Sequence, residues 1–177
     1  VISQKTQVQD QSSIKESTEF TESYKGSQSF SLYRAIHKGG IYHNVPGNTK
    51  EEVIRNAMQQ IARQQDIDEE VITELLLDRE KLMPTSLNHG IGVPHARDFL
   101  LDKAFDLIAI VFPEKPIEYG ALDQKPVHTL FFLLANTDKR HLHLLAKIAH
   151  LCSTPNAIKE LEKHPNSKDL LNFIKNW

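Results

Sequence analysis

The chain has 177 residues, 21 Lys+Arg against 23 Asp+Glu for a net charge of -2, 40% hydrophobic residues and one cysteine. Near-neutrality argues against nucleic-acid binding through bulk charge, and Cys152 alone excludes a disulfide scaffold and fits a reducing compartment. A chain this long buries roughly 70% of its unfolded surface; it has neither the roughly 20 apolar residues that span a bilayer nor a signal-like apolar core, so a cytoplasmic domain is expected.

Residues 1–28 are Ser, Thr, Gln, Lys and Glu with scattered apolar residues, a composition that reads as a linker or tail. The alternative is a short amphipathic helix marked by Ile14, Phe20 and Tyr24. The chain opens on Val1, and its polar start resembles a tether to an upstream module; a DNA-binding module there would be its route to nucleic acid. The globular part spans residues 29–177.

In that part SFSLYRAI and GGIYHNV are expected as short extended or mixed segments divided by Gly39-Gly40. Thr49 followed by Glu52 forms a capping box for a helix with Val53, Ile54, Ala57, Met58 and Ile61 as its apolar stripe. A second helix runs from near Asp68 through Val71, Ile72, Leu75 and Leu76 to about Glu80. The run PTSLNHGIGVPHARD breaks helical patterning and predicts a loop with one short extended piece.

Two nearly continuous apolar runs, Phe105 to Phe112 and Val127 to Ala135, predict strands buried on both faces. A helix after Thr137-Asp138 is expected to turn Leu142, Leu145, Ile148, Ala149 and Cys152 to one side. Thr154-Pro155 opens another helix, and Ser167 is expected to cap the last, with Leu170, Leu171 and Ile174 inward. The fold class expected is α/β, a small central mixed β-sheet flanked by α-helices.

The loop between Arg79 and Arg97 concentrates Gly90, Gly92, Pro94 and His95 between a helix and a buried strand, a common setting for function. Pro94 and the glycines display His95 at a defined place, but from these features alone a structural histidine is the plainer reading. The spacing is not that of a phosphate-cradling P-loop. A second cluster, TDKRHLHLL, puts Arg140, His141 and His143 in the first turn of a helix, where N–H groups and potential favour anions. His141 and His143 point to different sides, which counts against a zinc pair, and His143 with His150 lacks a third ligand. Cys152 reads as a packing residue.

The runs DREKLMPTSLNHGIGVPHAR and FPEKPIEYGALDQKPVHTLFFLLANTDKRHLHLLAKIA resemble the enzyme IIA domain of the fructose/mannitol class of the bacterial phosphotransferase system, and within it the nitrogen-regulatory branch. The resemblance covers roughly Ser31 to the C-terminus. It implies an enzyme IIA fold, with His95 as the phosphorylated histidine attacking through Nε2, His141 as the second active-site histidine and Arg79 as the supporting arginine. Ser86 and Asn88 stand where the family usually has glycines, and His89 where a small polar residue is common, which would stiffen the loop or alter partner choice.

It also implies a histidine phosphocarrier protein as donor, a IIB domain or a regulated target protein as downstream partner, and no metal or cofactor, since both exchanging groups are histidines. Ile91, Val93, Phe99 and Leu100 are weighed equally as an apolar docking rim and as core, and Arg97 reads as a solvated surface residue. A carrier feeding a sugar-specific IIB and a regulatory module switched by phosphorylation both fit, with the regulatory reading ahead and a phosphorylation-independent regulatory binding module as a further alternative. A histidine-rich metal enzyme stands behind both, because no spacing supports a closed ligand set.

Overall fold

The computed structural model describes residues 32–96 and 106–177. The expected tail, Arg97, Phe99 and Leu100 lie outside the described residues. The first described element corrects the reading of SFSLYRAI: residues 32–39 are helical (α1), not extended. Leu32, Ala35 and Ile36 are buried at helical spacing. Gly39 ends α1 against the sheet, where a Cβ would stand 2.1 Å from the Ile108 carbonyl oxygen.

Strand β1 (Ile41–Val45) follows, then the helical pair α2 (Lys50–Gln65) and α3 (Glu69–Leu82). Thr49 caps α2 by accepting the Glu52 N–H at 3.2 Å, and the Glu52 carboxylate reaches back to the Asn48 N–H at 2.7 Å. All five residues of the expected α2 stripe are fully buried. In α3 the stripe is shifted: Ile72, Leu76 and Leu77 are inward, whereas Val71 is 40% exposed.

The short strand β2 (Ile91–Gly92) lies in the loop that the sequence marked, and β3 (Leu107–Pro113) and β4 (Thr129–Leu134) are the two apolar runs. The sheet has the order β1-β3-β4-β2, with β1 parallel to β3, β3 antiparallel to β4, and β4 parallel to β2. Every residue of β3 and β4 is buried because both faces are covered. Ile108, Ile110, Phe131 and Leu133 pack with α1 and with three later helices, α4 (Asp138–Leu151), α5 (Pro155–Glu162) and α6 (Ser167–Asn176). Leu107, Ala109, Val111 and Phe132 point the other way onto α2 and α3. Each of these side chains larger than Ala109 contributes about 1.5–3 kcal/mol by leaving water, so the two layers clamp the sheet from both sides.

Two expectations about the C-terminal helices are corrected. The inward stripe of α4 is His141, Leu144, Lys147, Ile148 and Leu151, while Leu142 is 54% exposed and Ala149 is also exposed. The stripe carries a histidine and a lysine, so apolarity alone misplaces its phase. The cap of α6 is Asn166, which accepts the Asp169 N–H at 2.9 Å, and Ser167 is the first helical residue. Cys152 is buried, and burial pushes its thiol up to about 12.

Candidate functional site

The C-terminal end of α3 and the segment after it, with Leu145 of α4, line one cleft. Met83 ends α3 in an extended conformation, as a residue before proline prefers, and Pro84 redirects the chain. Arg79 in the last turn of α3 donates through Nη1 to the Met83 carbonyl at 3.0 Å.

The chain from Thr85 to Val93 then doubles back on itself. Val93 N–H donates to the Thr85 carbonyl at 2.6 Å and Leu87 N–H to the Ile91 carbonyl at 2.9 Å. At the tip, Asn88, His89 and Gly90 have φ of 65°, 55° and 81°. Asn and His tolerate this left-handed region better than most residues; Gly90 is required for a second reason, since a Cβ there would stand 2.3 Å from the His128 ring. Ser86 Oγ donates to the Ile91 carbonyl at 3.3 Å and accepts the Asn88 N–H at 3.3 Å, so two residues flagged as departures are built into the turn. His89 N–H donates to Asp123 at 2.7 Å, and that bond holds the Asp123 carboxyl below its usual range. His128, whose own pKa burial lowers, contacts the His89 carbonyl through Nε2 at 3.1 Å.

This braced hairpin delivers His95. Its backbone pairs with Leu133 of β4, and Leu133 N–H donates to the Pro94 carbonyl at 3.0 Å. His95 is 8% exposed, with Nδ1 2.6 Å from the Val93 carbonyl oxygen. A carbonyl only accepts, so the contact calls for a proton on Nδ1, which in a neutral ring places the lone pair on Nε2. The His141 ring lies 5.1 Å away, centroid to centroid, tilted by 42°. Thr137 caps α4 by accepting the Arg140 N–H at 3.3 Å, so His141 enters the site from the first turn of a capped helix.

The cleft encloses about 780 Å³, and its walls include Arg79, Leu82, Thr85, His95 and Leu145. The structure thus brings His95 and His141 together and puts Arg79 on the wall that His95 shares. Arg140 goes elsewhere, pairing with Asp106 at 3.1 Å, and His150 packs on the Trp177 ring at 5.2 Å. Ile91 and Val93 are core, at 0% and 1% exposure. The apolar edge comes instead from Leu82, 82% exposed, a residue that the sequence reading passed over at the end of α3. Among the described residues no three His, Cys, Asp or Glu side chains gather as a metal site would need, and no helix is long and apolar enough to cross a membrane.

Residues 34–177 match the family model described as "Phosphoenolpyruvate-dependent sugar phosphotransferase system, EIIA 2". The chain belongs to this family. Within it the chain is of the nitrogen-regulatory type: it is 32% identical over 146 residues to a nitrogen regulatory protein of Pseudomonas aeruginosa, covering 81% of this chain and 94% of that protein. Nitrogen regulatory protein IIA-Ntr from Neisseria meningitidis has the same fold, with a TM-score of 0.71 and 23% identity over 81% of this chain and 98% of that one. The mannitol IIA of Escherichia coli, solved in complex with phosphorylated enzyme IIB, superposes with a TM-score of 0.63 and 22% identity over 77% of this chain and 94% of its own. Proteins of this EIIA family are phosphotransfer proteins.

Proposed function

We propose that this EIIA domain is a phosphohistidine carrier that accepts a phosphoryl group on Nε2 of His95 from a phosphorylated histidine phosphocarrier protein. The observation that carries the reading is the 2.6 Å contact of His95 Nδ1 with the Val93 carbonyl, on a cleft wall that Arg79 shares and with the His141 ring 5.1 Å from its own. It fixes tautomer and ring direction, the two properties that an imidazole nucleophile needs.

In the transfer, a P–N bond forms to His95 Nε2 as the P–N bond of the donor breaks, and the donor nitrogen keeps the electron pair. Both nitrogens belong to imidazoles, so the exchange is nearly balanced and catalysis rests on positioning and charge stabilisation. His141 and the N–H groups opening α4 serve the equatorial phosphoryl oxygens, with Arg79 adding charge from the cleft wall. The exposed apolar edge at Leu82 suits docking of a protein donor.

The downstream role we favour is regulatory: the phosphoryl group adds about 1.5 to 2 negative charges at this cleft and switches binding to a target protein. A second reading, passage of the phosphoryl group to a IIB partner, is supported by the fold shared with the mannitol IIA that was solved with its IIB. The test is incubation with phosphorylated histidine phosphocarrier protein, reading intact mass. An acid-labile, base-stable adduct is expected on the wild type and none on a folded His95→Ala protein. Equal labelling of both would refute the assignment of His95.

A further inference from the structure

A buried carboxylate lies under the site. Glu80 follows Arg79 in α3, is 4% exposed, and takes no part in the cleft wall. Its Oε1 accepts the Tyr119 hydroxyl at 2.7 Å and the Thr85 hydroxyl. Its Oε2 accepts the Thr85 N–H at 3.2 Å and Lys50 Nζ at 3.2 Å. Four donors match the four lone-pair sites of a carboxylate, so Glu80 has nothing left to offer a substrate. What it does is hold Thr85 by side chain and backbone together.

Thr85 is in turn the anchor of the histidine. Its carbonyl accepts the Val93 N–H at 2.6 Å, and the Val93 carbonyl faces His95 Nδ1 at 2.6 Å. We infer that Glu80 is a positioning residue for His95, acting through Thr85 and Val93 to hold the imidazole in its Nδ1–H tautomer. The inference deepens the carrier reading above and rests on it. Each link enters a residue through one peptide unit and leaves through the next, so the influence is geometric: moving Thr85 moves Val93, and moving Val93 withdraws the acceptor from the ring. Lys50 approaches the carboxylate from α2 at 3.2 Å and lies 4.7 Å over the Tyr119 ring, which fixes the pair in place.

The test compares two changes at this pair in the full chain. Glu80→Gln keeps an oxygen that can accept the Thr85 N–H. The double variant Lys50→Met, Glu80→Leu replaces the ion pair by apolar groups of similar size, a change that folds tolerate, and leaves the Thr85 N–H without its acceptor. Long-range 1H–15N spectra report the His95 tautomer, and the rate of phosphoryl acceptance reports function.

Glu80→Gln should keep the Nδ1–H tautomer and a rate close to wild type. The folded double variant should show mixed tautomers and accept about ten- to a hundredfold more slowly. A folded double variant with the pure Nδ1–H tautomer and the wild-type rate would overturn the inference. Should it not fold, Glu80→Asp, which withdraws the carboxylate by one methylene, should give the mixed spectrum, and an unchanged spectrum and rate would overturn the inference equally. Failure of the wild type itself to take up phosphate would count against the carrier reading, whereas the tautomer spectra judge the link to Glu80 by themselves.

Discussion

Glu80 and His95 are both buried polar side chains, and they sit at opposite ends of one hydrogen-bonded path with opposite environments. The carboxylate is saturated by four donors and closed off within the fold; the imidazole is oriented through Nδ1 and lies at the wall of an open cleft. The first arrangement spends all its hydrogen-bonding capacity on the fold, and in the proposed function the second presents its Nε2 to the phosphoryl donor. The contrast separates what stabilises this domain from what it does, and substitutions at the two ends should separate in the same way.

The largest expected effect on stability is at the saturated end. Glu80→Ala leaves Lys50 and three further donors facing a cavity, and should cost about 3–5 kcal/mol in urea unfolding. A loss under about 1 kcal/mol would mean that the pair is not a structural anchor. At the open end, His141→Ala should slow phosphoryl acceptance while the fold stays intact, read by stopped transfer assays alongside circular dichroism. An unchanged rate would remove His141 from the site.

Between the two ends lies the hairpin tip. Gly90→Ala meets both a left-handed φ of 81° and the His128 ring 2.3 Å away. It should destabilise the domain by about 1–3 kcal/mol and disturb His95 more than the distant β1. Chemical-shift changes spread evenly over the sheet would contradict the view that the tip braces the histidine.

A pH series probes the same hairpin more gently. Burial lowers the native pKa of His128 and of His164, and burial with the nearby Lys147 charge lowers that of His143. The unfolded chain therefore takes up protons first. The stability tied to these neutral rings is fully present above the ordinary histidine pKa of about 6.5 and is lost as pH falls below it toward their lowered native values. Urea midpoints should fall through this window, and His128→Gln should flatten the decline. The smallest effect belongs to the exposed Arg55–Glu74 pair at 3.2 Å, whose removal should change stability by under about 1 kcal/mol.

Much of this architecture is written in local patterns. The runs at β3 and β4 are apolar on every residue because both faces are covered, and Thr49 with Glu52 marks the start of α2 in four letters. Patterns fail where burial is polar. The α4 stripe contains His141 and Lys147, so a count of apolar residues turns the helix toward Leu142, which is exposed. Helix α1 is not legible in the sequence because Gly39-Gly40 speaks for a break, whereas burial of Leu32, Ala35 and Ile36 decides for a helix.

At the site the same limit applies. The proposed roles of His95, His141 and Arg79 rest on family resemblance, since spacing alone reads His95 as a structural histidine. Glu80 went unseen because its partners, Lys50, Thr85 and Tyr119, converge on it only in three dimensions; a glutamate on a helix reads as a solvated face.

The most direct test of the central claim is the bonding of phosphorus in the phosphorylated wild-type domain, read by long-range 1H–15N spectra with 31P coupling. The account predicts coupling to Nε2 of His95, with Nδ1 still protonated against the Val93 carbonyl. Phosphorus on Nδ1 of His95, or on His141, would contradict it.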